Sequence, residues 1–130
     1  MDHETALVRA FISGNRQPRY LDRLKSVKGR RPFLEDRLYH MGDLDERYAT
    51  RIQPGEQNVE QIYKLLTDRG APESCHVIST NRDLDGKQFD LLDALQRTFA
   101  SFEGTLISCI PGLLAYYEGE DMKTRYILER

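Results

Sequence analysis

Residues 75–117, CHVISTNRDLDGKQFDLLDALQRTFASFEGTLISCIPGLLAYY, decide the fold because their hydrophobic period changes twice. Apolar, β-prone runs lie on either side of a segment, 89–102, in which Phe and Leu recur at helical spacing. The pair Pro111–Gly112 is typical of a tight turn between two strands. The pattern predicts one helix among strands, and the strands are expected at 75–80, 105–110, 113–118 and 123–128.

The order of these elements suggests how the sheet is connected. If the first two strands are neighbours, the helix between them forms a right-handed crossover and the two strands run parallel. The last two strands would then add as hairpins. We therefore predict a small mixed sheet of about three to four strands with one crossover helix.

The first seventy residues have helical patterning instead. Asp2 and Asn58 are candidate N-caps, and Pro18 and Pro32 suit first turns. The segment 40–54 is ambiguous, since its apolar side chains recur every four residues but it also contains Gly42 and several acids. The expected class is α+β in a single domain, 1–130, with a mainly helical part (1–72) packed on a strand–helix–hairpin part (73–130).

Composition excludes several classes of protein. The chain has 130 residues, 39% of them hydrophobic, and its seven Tyr and five Phe are too many for a disordered chain. Its longest apolar run, 105–117, is interrupted by Ser108, Pro111 and Gly112 and is too short to cross a bilayer. The acidic start of the chain lacks the features of a secretory signal, and two cysteines in β-prone runs favour buried, reduced thiols. We expect a cytoplasmic protein with no membrane contact, no cofactor and no metal ion.

The net charge of −2 conceals an asymmetry. Residues 9–37 carry nine basic and three acidic side chains, whereas residues 55–130 carry eight basic and thirteen acidic ones. The stretch from Arg16 to Arg37 is therefore a candidate surface for a polyanion, with Lys28, Arg30 and Arg31 as candidate phosphate-binding residues. The same charges are also typical of a solvated helical face, or of a surface that complements the acidic part of this chain or of a neighbour.

A second candidate site follows the first predicted strand. Thr80, Asn81, Asp83 and Asp85 would lie between a strand end and a helix N-terminus, where ligands often bind. The pattern opens like a calcium loop, but Leu92 stands where the bidentate Glu is needed, which argues against an EF-hand. The alternative is a tight turn whose acids stabilise the start of the helix.

The run LLAYY, at 113–117, is apolar on both faces of a strand. Such a strand needs cover on both sides, either from the helices of its own chain or from a second copy. A homodimer through this sheet and complete internal coverage are both consistent with the pattern.

Three functions remain open, and the sequence contains none of the common catalytic motifs. The leading hypothesis is a binding or regulatory interaction module that self-associates and that is not an enzyme; a further protein partner is left open. The second is a ligand sensor or hydrolase-like enzyme that uses the loop from Ser79 to Asp90 for a metal ion or a phosphorylated ligand. The third is a nucleic-acid-binding accessory protein that uses the basic stretch.

Overall fold

The protein is an α+β structure, as expected, in which helices cover both faces of one sheet. The computed structural model describes residues 2–121 and 124–130. Its α-helices, numbered in chain order, are α1 (His3–Phe11), α2 (Gln17–Lys25), α3 (Arg30–Arg37), α4 (Val59–Asp68) and α5 (Leu91–Thr98). Its strands are β1 (Ala49–Arg51), β2 (Ser74–Ser79), β3 (Lys87–Asp90), β4 (Thr105–Ile110), β5 (Leu114–Glu118) and β6 (Arg125–Glu129).

The helix starts follow the capping residues of the sequence. The Asp2 side chain accepts a hydrogen bond from the Thr5 backbone at the start of α1, and Asn58 does the same for Gln61 at the start of α4. None of the described helices combines the length and apolar character needed to cross a bilayer.

The sheet has six strands in the order β1-β6-β5-β4-β2-β3, and every neighbouring pair is antiparallel. The prediction of a mixed sheet with three to four strands is therefore wrong. The four predicted strands are present as β2, β4, β5 and β6, although Lys123, at the start of the last one, lies outside the described residues. The two additional strands are short: β1 lies in the ambiguous segment, after a 3-10 turn at Glu46–Tyr48, and β3 overlaps the start of the helical segment predicted at 89–102. Of that segment only Leu91–Thr98 is helical, as α5.

Strand β3 explains why the predicted parallel pair is wrong. Strands β2 and β4 are antiparallel neighbours, with His76 opposite Ser108 and Ser79 opposite Thr105. The chain reverses at residues 80–86 and forms β3 before it enters α5. Because β3 and β4 both run antiparallel to β2, α5 still connects two strands of the same direction, but it does so across β2.

The alternating side chains of β5 show how both faces of the sheet are covered. Ala115 and Tyr117 pack in the core that contains α1, α2 and α3, whereas Leu114 and Tyr116 pack in the core that contains α4 and α5. Since β5 also has β4 and β6 on its two edges, this strand is covered by its own chain. The strand that suggested a homodimer therefore offers no surface to a second copy.

Candidate functional site

The residues predicted to bind a ligand after β2 form the turn between β2 and β3. The Asn81 side chain accepts a hydrogen bond from the Asp83 backbone, and its carbonyl accepts from Leu84 and Asp85. The Asp83 side chain is exposed. The chain continues into a strand, and α5 begins only at Leu91. The helix amides expected beside this loop are therefore not there.

Thr80 connects this turn to the loop that precedes β4. Its hydroxyl donates to Glu103 Oε2 at 2.5 Å and accepts from the backbone N–H of Gly104 at 3.1 Å. In addition, the backbone N–H of Thr80 donates to the Gly104 carbonyl at 3.0 Å. The Thr80 hydroxyl thus both donates and accepts a hydrogen bond within the protein itself.

Asp85 belongs to a charged cluster centred on Arg30. The Arg30 guanidinium donates to both carboxylate oxygens of Asp85, at 2.8 and 2.9 Å, and to both of Glu4, at 2.6 and 2.9 Å. Bidentate contacts of this kind are the stronger ion pairs in proteins. The hydrogen bond to Asp85, above all, raises the pKa of Arg30. Arg30 therefore holds α1, α3 and the β2–β3 turn together.

Glu4 is held in its charged form by this cluster. Burial alone would raise its pKa, but hydrogen bonds from His76 and Arg30, with the charge of Arg30, lower it to about 2. The carboxylate oxygen that contacts Arg30 at 2.9 Å also lies 2.7 Å from His76 Nε2. Glu4 thus stabilises the folded chain only while it is ionised.

The substitution Glu4→Gln tests this charge. Because the pKa of Glu4 is lower in the folded chain than its ordinary value of 4.5, the charge stabilises the fold above that value, and the effect disappears as the pH falls towards 2. We expect Glu4→Gln to lower the free energy of unfolding by about 1–2 kcal/mol at about pH 7, and this difference to shrink towards about pH 3. Urea unfolding across this range measures it, with the exposed Glu60→Gln as control. A difference that does not change with pH would contradict the assignment.

The two other predicted anion-binding residues differ from each other. Arg31 donates to the backbone carbonyls of Ser79 and Thr80, so its head group is engaged by the β2–β3 turn. Lys28 is exposed, and within residues 2–121 and 124–130 no hydrogen bond or ion pair involves its amine. The two predicted sites thus meet through Arg30 and Arg31, and only Lys28 stays available to an external anion.

A serine–histidine contact, which sequence reasoning missed, lies next to this cluster. His3 Nδ1 is 2.7 Å from Ser108 Oγ, and the rings of His3 and His76 stack at 5.6 Å. Burial and the neighbouring His76 lower the pKa of His3. A serine beside an imidazole is the arrangement of an activated nucleophile. Here Ser108 is only 1% exposed, however, so a substrate has no access to its hydroxyl. No local signal joins two residues that are 105 positions apart.

The cysteines and the acids do not form a metal centre in the described part of the chain. Cys75 and Cys109 are free and buried in the same core, and burial raises the pKa of each thiol to about 12. Thiols with such a pKa are almost entirely protonated and react slowly. No group of three His, Cys, Asp or Glu side chains among the described residues is placed to hold a metal ion.

Between α2 and α3 lies a groove of about 360 Å³, which we call the α2–α3 groove. It is lined by Arg19, Arg23, Gly29, Pro32, Phe33 and Asp36. The two helices approach closely at Gly29, where a Cβ would lie 2.9 Å from Ser26 Oγ and 3.3 Å from Arg23 Nη1. In the part of the chain that the structure describes, neither Arg19 nor Arg23 forms an ion pair. The spacing of Arg16, Arg19 and Arg23, on one helical face, is the sequence signal that could have identified this groove.

Residues 99–103, which we call the Phe102 loop, present an aromatic side chain to solvent. Ala100 and Phe102 have positive φ angles of 58° and 62°, and Phe102 is 56% exposed. Non-glycine residues rarely adopt this conformation, which costs about 1–3 kcal/mol each. The surrounding structure must therefore hold the loop in place.

A buried ion pair holds it. The backbone N–H of Ala100 donates to Glu118 Oε2 at 2.9 Å, and Glu118 Oε1 accepts from Tyr116 at 2.7 Å and from Arg125 at 3.2 Å. The side chain of Arg125 stacks on the Phe99 ring, 4.4 Å from its centroid. Burial raises the pKa of Glu118 against these opposing contacts. The buried Glu118–Arg125 ion pair thus holds the Phe102 loop in place.

Neither a family model, nor a curated protein, nor a solved structure matches this chain.

Proposed function

We propose that the protein is a small binding or regulatory module that self-associates and acts through its surface. The observation that carries this proposal is the Phe102 loop, a strained segment that displays an exposed aromatic side chain. Backbone strain persists where the surrounding structure over-determines it, and it clusters at functional segments. A rigidly held aromatic ring is also a favourable contact residue, because docking it costs little conformational entropy.

The polar side chains of the predicted ligand site are hydrogen-bonded within the protein, which favours a surface role over catalysis. In the loop from Ser79 to Asp90, Thr80 and Asp85 hydrogen-bond to other parts of the protein, and the Asn81 side chain accepts from the Asp83 backbone within the loop. A sensor or enzyme at this position would need these groups free to meet a ligand. The cytoplasmic location expected from the sequence remains part of the proposal.

Because β5 lies inside the sheet, we expect a second copy to bind at other parts of the surface. A second copy would have to contact loops, helices or the edge strands β1 and β3, since both faces and both edges of β5 are covered. Contacts of this kind bury less area than obligate interfaces do, so we expect weak, concentration-dependent association.

Sedimentation velocity of the full chain tests self-association. We expect the weight-average mass to rise above the 15.1 kDa of one chain as the concentration increases from about 10 µM to about 1 mM. The same series at about 0.05 M and about 0.5 M NaCl shows whether charges contribute, because salt weakens exposed ion pairs. A mass that stays at that of one chain throughout would refute the proposal.

A further inference from the structure

Two surface features have complementary chemistry. The lining of the α2–α3 groove contains two arginines, Arg19 and Arg23, and one acid, Asp36, which pairs with Arg37. The other lining side chains are Pro32 and Phe33. The Phe102 loop displays the exposed aromatic side chain of Phe102, and the next residue, Glu103, is acidic. An apolar groove with a basic edge suits an aromatic residue with acidic neighbours.

The apolar parts fit in size and character. A volume of about 360 Å³ is at the lower end of the range for binding pockets, enough for one aromatic side chain and too small for a large ligand. The apolar surface comes mainly from Pro32, which is exposed, since Phe33 is only 6% exposed. A guanidinium beside an aromatic face adds a cation–π attraction, which Arg19 and Arg23 can supply to a ring docked in the groove that they line.

The charges fit as well. The Glu103 carboxylate is partly exposed next to Phe102 and accepts from Thr80 through Oε2 only. Glu120, at the same end of the sheet, is exposed and lies 2.8 Å from His40 Nε2. Both are linked to the end of α3, because Gly104 packs on Leu38 and the Glu120 backbone donates to the Tyr39 carbonyl. Opposite charges on two surfaces favour their encounter and fix their orientation.

We infer that the Phe102 loop of one copy docks into the α2–α3 groove of another, with Phe102 on Pro32 and with Glu103 against Arg19 and Arg23. This inference rests on the proposed self-association and names its two surfaces. The contact joins two different patches, so it is heterologous and leaves one free groove and one free loop at the ends of any open assembly.

Two variants each remove one surface. Phe102→Asn keeps a residue that tolerates a positive φ, and therefore preserves the loop while it deletes the ring. Arg19→Glu/Arg23→Glu reverses the charge of the groove. We expect either variant to weaken association at least about ten-fold in sedimentation velocity at about 0.05 M NaCl, with the thermal unfolding midpoint unchanged.

A mixture of the two variants is the sharpest test. The first keeps an intact groove and the second an intact loop, so an equimolar mixture has one complementary pair. We expect a complex of two chains and nothing larger, whereas the mass of the wild-type assembly continues to rise with concentration.

Matched controls separate the contact from general surface effects. Leu113→Asn removes another exposed apolar side chain, 53% exposed and at the opposite end of β4. Arg9→Glu/Arg51→Glu makes the same change in charge at two other exposed positions. Both controls should associate like the wild type.

The outcomes distinguish this inference from the proposed function. If the wild type associates and both variants associate equally well, the inference is wrong and self-association stands. If the wild type is a monomer at every concentration, both are wrong. If the monomer binds a labelled single-stranded oligonucleotide and Arg19→Glu/Arg23→Glu abolishes this, the groove belongs to a nucleic acid and the inference is overturned.

Discussion

Replacing Arg125 with methionine is expected to lower the free energy of unfolding by about 3–5 kcal/mol. The side chains of Arg125 and Glu118 are only 3% and 1% exposed, so the substitution leaves a carboxylate buried without its counter-charge. It also removes the Arg125 hydrogen bond to Gln57 at 2.6 Å. Urea unfolding at neutral pH measures the loss. Because the pKa of Glu118 is already raised, the variant should regain stability as the pH falls and the carboxyl takes up a proton.

A second substitution separates the unpaired charge from the lost packing. Glu118→Gln keeps an oxygen that accepts from Tyr116 or Ala100 but carries no charge, so Glu118→Gln/Arg125→Met should recover a large part of the stability. Arg97→Met is the matched control, because Arg97 pairs with Asp93 on the exposed face of α5 and should cost less than about 1 kcal/mol. If the double variant is no more stable than Arg125→Met, the ion pair is not the cause.

Gly104→Ala is expected to destabilise the protein by about 3 kcal/mol or more, because a side chain there overlaps the backbone. A Cβ at this position would lie 2.4 Å from the carbonyl carbon of Leu38 and 2.5 Å from its oxygen. Leu38 is buried at the end of α3, and its carbonyl already accepts from Tyr117 at 2.6 Å, so it cannot move freely. Thermal and urea unfolding both report the loss.

The same substitution elsewhere provides the control. A Cβ at Gly55 meets nothing within 4 Å, and Gly55→Ala should therefore be neutral or stabilise the fold by about 0.4–1 kcal/mol. Equal effects at Gly104 and Gly55 would show that Gly104 does not pack closely on the Leu38 backbone as described.

Local sequence signals predicted the elements whose apolar side chains have a clear period. Strands β4 and β5 and helix α4 were expected from such patterns, and the predicted caps Asp2 and Asn58 both accept hydrogen bonds at helix starts. These features depend on neighbours within four residues, so the sequence contains what is needed to predict them.

The short edge strands were not predicted because their stability comes from their partners. Three of the four residues of β3 are exposed, so no apolar alternation marks this strand, and it exists through its pairing with β2. Missing it reversed the predicted direction of β4 relative to β2. Strand β1 has only three residues and pairs with β6, from which it is separated by more than seventy positions in the chain.

In the candidate sites, too, the sequence predicted individual residues but not the contacts between distant ones. The sequence placed Arg30, Arg31 and Asp85 among the candidates, but as two separate sites, whereas the structure joins them through Arg30. Arg19 and Arg23 belong to the predicted basic stretch but were not among the residues chosen for phosphate binding. Within residues 2–121 and 124–130 they form no ion pair, and they line the α2–α3 groove.

Local patterns in the sequence are sufficient to predict the α+β class, the helical character of residues 1–72 and the two apolar faces of residues 113–117. They also reveal the asymmetry of charge between the two parts of the chain. The folded structure is needed to know which charges neutralise each other, which strand directions are adopted and which cations face solvent. The periodicity of apolar side chains is a local property of the chain. Ion pairing and strand register instead depend on groups brought together from distant positions, as Arg30 is with Glu4 and Asp85.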